Sequence, residues 1–256
     1  MTKVAVDKNK IIIDASLLAG RIMLENGAET SRVEDTMERM ISTSLGIKHG
    51  TNAFTYVTVN GIFVNIGLDN TNFVRIDNRD HNLEKVTKVN QISRMYSEGR
   101  LTIEEVLSEL KAVDQDPLDY PLWFRLICTA VLSGSVMLIM NGTFVDLPAS
   151  MIGGLLCYIT YLIGFKIMKT PFIVEYIAAF LGGIVAYYIN SIMGSHLNSV
   201  MIGTVAPLVP GIAMTNAIRD MMAKHYLSGT IRLVEAVFIA GAIGTGIATV
   251  YYLFIN

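Results

Sequence analysis

The sequence has few of the residues that build disulfide frameworks and metal sites. Its 256 residues include two cysteines, Cys128 and Cys157, and four histidines. The cysteines lie in separate apolar segments and lack paired spacing, so we predict that both are buried apolar thiols. His49 and His81 are isolated, outside any spacing that binds zinc. We therefore expect no metal and no other cofactor.

An excess of basic charge is also absent. The formal net charge is -2, which provides no basic surface typical of nucleic-acid binding. The phosphate-binding loop of ATP-driven pumps does not occur. The N-terminus does not resemble a secretory signal either, because the apolar run 11–13 is too short and charged residues soon follow it. The first part of the chain is therefore expected to stay in the cytoplasm.

Charge becomes scarce beyond Pro121, where long apolar runs predict a transmembrane domain of five helices. The predicted spans are approximately 121–140, 146–165, 172–190, 198–217 and 233–254. Lys and Arg occur in loops 166–171 and 218–232 and are absent from loops 141–145 and 191–197. The positive-inside rule then places the N-terminus inside and the C-terminus outside.

Residues 1–113 have the pattern of a small α+β domain, joined by an acidic, proline-containing linker (114–120) to the transmembrane domain 121–256. Periodicity predicts helices at 11–26, 30–45, 83–98 and 102–113, and strands at 51–60, 61–68 and 72–77. Capping boxes are predicted at Ser31–Glu34 and Thr102–Glu105. A hairpin turn is predicted at Asn60–Gly61, and a second turn at Asp69–Asn70.

The N-terminal domain also carries a cluster of polar residues on and between its first two helices: Glu25, Glu29, Thr30, Arg32, Glu34 and Arg39. One interpretation is a binding or regulatory surface, or an acid/base pair. The alternative is a solvated helix surface with ion pairs at three- and four-residue spacing, such as those available to Glu34, Glu38 and Arg39. For catalysis, the second interpretation is favoured.

The most informative stretch of the second half is an interrupted apolar helix. Pro207, Pro210 and Gly211 predict a break, because proline removes a backbone donor and clashes with the preceding turn. In secondary transporters such breaks often mark the solute site. We therefore predict that these three residues bind solute and that three residues beyond the break line its cytoplasmic approach: Asn216, Arg219 and Asp220. A simple proline kink that ends in a cytoplasmic anchor is the alternative.

Ionisable residues in or near membrane spans are candidates for function. Arg125 is a candidate partner for a solute carboxylate, and Glu175 and Glu235 are candidates for proton coupling. The alternative is that these side chains lie at the interface and reach water. Arg232 and Lys224 are better explained as charges that set the topology.

Two sequence blocks resemble the threonine/serine exporter (ThrE) family, and in particular its short, split form, the YjjP-type subunit. The first is Gly27-Ala28-Glu29-Thr30-Ser31-Arg32-Val33-Glu34. The second combines Pro207-x-x-Pro210-Gly211 with Asn216-Ala217-x-Arg219-Asp220, followed by Gly229 and Glu235-Ala236. The likeness covers almost the whole chain.

The resemblance implies a cytoplasmic N-terminal domain, five spans and export of small polar metabolites across the plasma membrane. Threonine and serine are the solutes of full-length members, and succinate is the solute of the split type. Full-length members carry a further set of spans, so the resemblance implies a smaller YjjB-type membrane subunit as partner, or a homo-oligomer. Two alternatives stay open: a membrane-anchored hydrolase-like enzyme, for which the sequence has no nucleophile motif, and a regulatory subunit of a transporter.

Overall fold

A computed structural model describes residues 2–46, 53–66, 71–77, 79–117 and 120–254. The chain divides into two compact units. The first contains Met1–Leu118 and Ile212–Leu233, and the second contains Asp119–Gly211 and Val234–Asn256. The sequence-based boundaries of 1–113, 114–120 and 121–256 stay a prediction. Segment 212–233 packs with the N-terminal residues, an arrangement that was not predicted.

The first unit contains four helices and a three-stranded sheet from the N-terminal part of the chain, in the predicted order α-α-β-β-β-α-α. They are α1 (Thr2–Glu25), α2 (Thr30–Leu45), β1 (Ala53–Thr58), β2 (Gly61–Ile66), β3 (Thr71–Arg75), α3 (Leu83–Ser97) and α4 (Ile103–Gln115). Apolar side chains at helical spacing on all four helices meet one face of the sheet in a single core. The predicted first helix was too short at its start, because α1 begins at Thr2.

The sheet is antiparallel in the order β1-β2-β3. Thr58 pairs with Gly61, so Val59 and Asn60 form the two-residue turn and the predicted Asn60–Gly61 turn is one residue too late. Val57, Ile62 and Val64 face the core, whereas a row of aromatic residues is exposed on the other face: Tyr56, Phe63 and Phe73. His49 and the predicted turn at Asp69–Asn70 lie outside the described residues.

Most other helix ends in this unit follow the sequence signals. Gly27, Gly46 and Gly99 have left-handed backbones after α1, α2 and α3. The capping box of Thr102 and Glu105 is present at the start of α4. The predicted box at Ser31–Glu34 is wrong, because Ser31 lies inside α2, whose N-cap residue is Glu29, and Glu34 accepts a hydrogen bond from the backbone N–H of Val57 on β1 instead.

The second unit is built from long apolar helices. They are α5 (Leu122–Ile139), α6 (Leu147–Met168, preceded by a 3-10 turn at Phe144–Asp146), α7 (Ile173–Met193) and α8 (Leu197–Val205, followed by a 3-10 turn at Ala206–Leu208). Helix α9 (Gly211–Met222) follows the break, and α10 is Tyr226–Phe254. A Cβ at Gly182 would lie 2.6 Å from the Cβ of Cys157 and 2.9 Å from the carbonyl oxygen of Gly153. The glycines of α6 and α7 therefore allow close helix packing, as predicted.

Among the described residues, four helices are long and apolar enough to cross a membrane: Leu122–Ile139, Phe144–Met168, Ile173–Ile192 and Tyr226–Phe254. Between 17% and 44% of the residues in each apolar window are buried, so most of these apolar surfaces need lipid or protein around them. A fifth candidate passes only as a bent pair, Leu197–Leu208 with Gly211–Met222. The predicted break is thus present, and the broken span 198–217 stays a prediction. The predicted loop 218–232 is too long, because α9 continues to Met222 and α10 begins at Tyr226.

Candidate functional site

Helix α9 has a polar buried face and an apolar exposed face. Asn216 and Asp220 lie one turn apart and are buried with Ala217, which lies on the same side of the helix. Met214, Ile218 and Met222 are 40%, 57% and 80% exposed on the opposite side. This is the reverse of the usual amphipathic helix, whose apolar stripe faces the core. The polar face must therefore have specific hydrogen-bond partners within the first unit.

Asp220 provides the missing N-terminal cap of α2. Its Oδ1 accepts a hydrogen bond from the Thr30 backbone N–H at 2.8 Å, and its Oδ2 accepts one from the Thr30 hydroxyl at 3.0 Å. Glu29, the residue at the N-cap position, makes no side-chain cap. A carboxylate at a helix N-terminus satisfies unpaired N–H groups and interacts favourably with the helix dipole. A residue 190 positions away in the sequence thus completes the start of α2.

Arg232, in the first part of α10, holds the other side of this carboxylate. Its Nε lies 3.2 Å from Oδ2 of Asp220, and its Nη2 donates to the backbone oxygen of Ala28 at 3.1 Å. Asp220 is 0% exposed and Arg232 is 6% exposed. Two opposite charges with this degree of burial need further hydrogen bonds; Thr30 donates two to Asp220, and the Ala28 carbonyl oxygen accepts one from Arg232.

The turn between α1 and α2 supplies most of the backbone partners. The Nδ2 of Asn216 donates to the carbonyl oxygen of Gly27 at 2.9 Å. Gly27 has φ of +89°, a conformation that glycine adopts without strain. Three polar side chains from 216–232 therefore bind the turn 27–30, and we call this set of contacts the α2 junction: Gly27, Ala28, Thr30, Asn216, Asp220 and Arg232.

A second set of charges surrounds the α2 junction. Arg219 forms an ion pair with Glu29 at the surface. His225 Nε2 lies 3.4 Å from Glu34 Oε2, and Glu34 Oε1 accepts the hydrogen bond from Val57. Burial raises the pKa of Glu34 above its usual value, while the Val57 N–H and the nearby His225 act in the opposite direction. Glu34 is therefore part of the packed unit, and its predicted role in a solvated helix surface is wrong.

Close packing of α9 against α10 brings Arg232 to Asp220. A Cβ at Gly229 would lie 2.6 Å from Cγ of Met221 and 2.9 Å from the carbonyl oxygen of Ala217. The turn between the two helices closes through a 2.8 Å hydrogen bond from the His225 backbone N–H to the Asp220 carbonyl oxygen. Arg232 was predicted to set membrane topology. Counting the Lys and Arg residues of each loop cannot show that Arg232 also forms an ion pair with Asp220.

The other predicted solute residues lie at the break itself. Pro207 is in the 3-10 turn after α8, Val209 and Pro210 are not helical, and Gly211 begins α9. Gly211 is exposed, and no atom would lie within 4 Å of a Cβ added to it. The structure thus separates the six predicted solute residues into a group at the break and a group that contacts 27–30: Asn216, Arg219 and Asp220.

The remaining predicted residues lie on helices of the second unit. Arg125 donates from Nη2 to the Tyr158 hydroxyl at 2.6 Å and from Nε to the same oxygen at 3.2 Å. Glu175 lies in the first turn of α7 and is 4% exposed. No donor from the described part of the chain reaches its Oε2. Glu235 is half-buried on α10.

One polar cluster of the second unit was not predicted. Asp146 is 0% exposed and accepts hydrogen bonds from Thr143 in one loop and from the backbone N–H groups of Ser195 and His196 in another. The Ser195 hydroxyl and the Asp146 carboxylate both contact Nδ1 of His196, at 2.9 Å and 3.0 Å. A Ser-His-Asp triad uses the two different ring nitrogens, so this cluster joins two loops and is not a triad.

The described residues contain no group of three His, Cys, Asp or Glu side chains that could bind a metal. The arrangement at the α2 junction instead resembles a structural connection made of buried charges. Asp146 and Asp220 are both fully buried. In each case the sequence signal for a buried polar cluster is an acidic residue within a largely apolar segment.

Comparison with known proteins agrees with this description. The chain matches the model of the ThrE family, described as "putative threonine/serine exporter", over residues 14–254. Neither the curated proteins nor the solved structures compared with the chain gave a match. The matched region covers most of both units and includes the break at Pro207–Gly211 and every residue of the α2 junction. On this evidence, the chain belongs to the threonine/serine exporter (ThrE) family.

Proposed function

We propose that the chain is a subunit of a secondary exporter that moves small polar acids out of the cell, driven by the proton gradient. Membership of the ThrE family and the membrane-length apolar helices support this function. Threonine and serine are the first candidate solutes, and succinate or a similar dicarboxylate is the second. In this proposal the protein lies in the plasma membrane with its N-terminal domain in the cytoplasm and its C-terminus outside, as the loop charges predict.

The proposed solute site is the break formed by Pro207, Pro210 and Gly211. Support comes from the start of α9 at Gly211: the Gly211 N–H donates to the Val209 carbonyl oxygen at 2.8 Å, and the next N–H groups of the first turn have no partners within the helix and carry partial positive charge. A solute carboxylate would bind these groups. The absence of a side chain at Gly211 leaves room for this approach. Arg125 is a further candidate partner for a carboxylate.

The observation that carries the proposal is the contact of α9 with the α1–α2 turn. The helix that begins at the break is bound along its polar face by Gly27 and Thr30. A helix of 12 residues moves largely as one body. We propose that the hydrogen bonds of Asn216 and Asp220 to the turn 27–30 hold α9 in position. The surface ion pair of Arg219 with Glu29 contributes to the same contact. Direct solute contact by Asn216, Arg219 and Asp220 stays a prediction.

Proton coupling is assigned to Glu175, with Glu235 as the second candidate. Support comes from the burial of Glu175 and from its Oε2, which has no donor among the described residues. Ionisable residues within membrane-spanning segments often belong to proton relays, which is the role proposed here for Glu175.

The experiment that tests the function is efflux of labelled threonine, serine and succinate from cells that express this chain. The assay is run with and without the smaller membrane subunit that split exporters of this family are expected to need. Efflux that requires both chains supports a two-component exporter and identifies the solute, and efflux from this chain alone supports a homo-oligomer. A correctly inserted protein that exports none of the three solutes in either arrangement would contradict the proposal.

A further inference from the structure

A polar groove lies between α2 and α3 in the first unit, away from the contacts of the α2 junction. Its volume is about 460 Å³, within the usual range for small-molecule sites. Only polar and charged residues line it: Arg32, Asp35, Thr36, Arg39, Thr87, Asn90, Gln91 and Arg94. Neither an aromatic nor an aliphatic residue lines it, so a ligand would make its specific contacts with polar and charged side chains.

The lining residues form the same pattern on both helices. On α2 they are residues 32, 35, 36 and 39, and on α3 they are residues 87, 90, 91 and 94. This spacing of three, four and seven residues marks one helix face, which in packed helices is normally apolar. Thr36 is 3% exposed at the base of the groove, with its hydroxyl 3.4 Å from Oδ1 of Asn90. Two facing polar stripes therefore replace apolar packing along this line.

The groove has an excess of positive charge. Arg39 forms an ion pair with Asp35 at 2.6 Å. Within the described part of the chain, Arg32 and Arg94 form neither an ion pair nor a side-chain hydrogen bond. Two guanidinium groups, one from each helix, are thus available to a ligand. Each presents a planar set of donors that matches carboxylate and phosphate oxygens.

We propose that this groove binds a small oxyanion with two or more negative charges. Arg32 of α2 and Arg94 of α3 bind its oxygens from the two ends of the groove, and the amide group of Gln91 provides a further hydrogen bond. A dicarboxylate and a phosphate share this chemistry. Arg32 is two residues from Thr30, so the bound anion would stabilise α2 next to the α2 junction. The proposal concerns binding to the first unit and does not depend on transport.

Binding is tested on the purified full-length protein in lipid nanodiscs by calorimetry at constant ionic strength. Succinate and inorganic phosphate are the probes, and chloride and zwitterionic threonine are the controls. We expect saturable binding of at least one probe and a loss of tenfold or more in its affinity in the double variant Arg32→Gln, Arg94→Gln, because each charged hydrogen bond contributes about tenfold or more. The matched control Lys111→Gln removes one charge from the exposed surface of α4 and should retain the affinity.

A second measurement uses the wild-type chain and so does not depend on folding of the variants. The bound probe should protect Arg32 and Arg94 from an arginine-specific reagent, detected by mass spectrometry, while Arg100, which is 70% exposed, reacts as before. Tighter succinate binding would identify a carboxylate site, and tighter phosphate binding would identify a phosphate site. The absence of saturable binding, or an affinity and a protection pattern that do not involve Arg32 and Arg94, would overturn the proposal.

Discussion

Asp220 in the first unit and Glu175 in the second are both almost completely buried, and their surroundings are opposite. Asp220 contacts the Thr30 backbone N–H, the Thr30 hydroxyl and Arg232. Oε2 of Glu175 has no hydrogen-bond partner among the residues described. A buried acid whose two oxygens are both held by donors is fixed in one arrangement, whereas a buried acid with an unpaired oxygen is not fixed in this way. Burial alone therefore does not separate a structural acid from a coupling acid, but hydrogen bonding does.

The largest effect is expected for Asp220→Asn. The variant leaves Arg232 buried without its opposite charge and weakens the start of α2, so we expect a loss of about 3–5 kcal/mol in the free energy of unfolding. Thermal unfolding in detergent and proteolysis at residues 26–30 measure this loss. The control is Asp77→Asn, which breaks an exposed ion pair with Arg75 and should cost less than about 1 kcal/mol. Equal stability of the two variants would refute the structural role of Asp220.

A smaller loss is expected for Gly27→Ala. Alanine is strained at φ of +89°, and its Cβ would lie 3.3 Å from Cδ2 of His81. We expect a cost of about 1–3 kcal/mol in unfolding free energy and weaker contact with Asn216. Gly99→Ala is the matched control, because Gly99 has φ of +72° and no neighbour within 4 Å of an added Cβ. If the control is as destabilised as Gly27→Ala, backbone strain alone accounts for the result.

The smallest effect is expected for the contribution of Glu34 to the pH dependence of the free energy of unfolding. Its pKa is raised by burial, so the folded state binds its proton more tightly than the unfolded state does. The resulting stability is present below the usual pKa of 4.5 and is lost as pH rises through the raised value. Glu34→Gln should remove this dependence, a change of less than about 1 kcal/mol.

Chemical denaturation across that pH range measures the effect, and Glu105→Gln provides a comparison of opposite sign. Hydrogen bonds from Thr102 lower the pKa of Glu105, so its contribution is present above the usual 4.5 and is lost as pH falls through the lowered value. A wild-type protein and a Glu34→Gln variant with parallel pH profiles would show that Glu34 is not perturbed.

Much of the fold could be predicted from the sequence because local patterns determine it. Hydrophobic periodicity identified the helices, Gly27 and Thr102 marked helix ends, and the prolines marked the break before α9. The α2 junction could not be predicted in this way. Thr30 and Asp220 are 190 residues apart, and hydropathy treats a polar residue that faces protein like one that faces water. For this reason the polar residues of α9 were predicted to line a water-filled approach to the solute site.

The most direct test of the account compares two transport modes of Glu175→Gln in proteoliposomes that contain the complete exporter. One mode is efflux driven by a pH gradient, and the other is exchange of labelled for unlabelled solute without a gradient. If Glu175 couples transport to protons, exchange should continue in the variant, while gradient-driven efflux should fall tenfold or more. A tenfold fall corresponds to about 1.4 kcal/mol of coupling free energy. A Glu175→Gln protein that drives efflux at the wild-type rate would contradict the assignment of the unsatisfied buried acid to proton coupling.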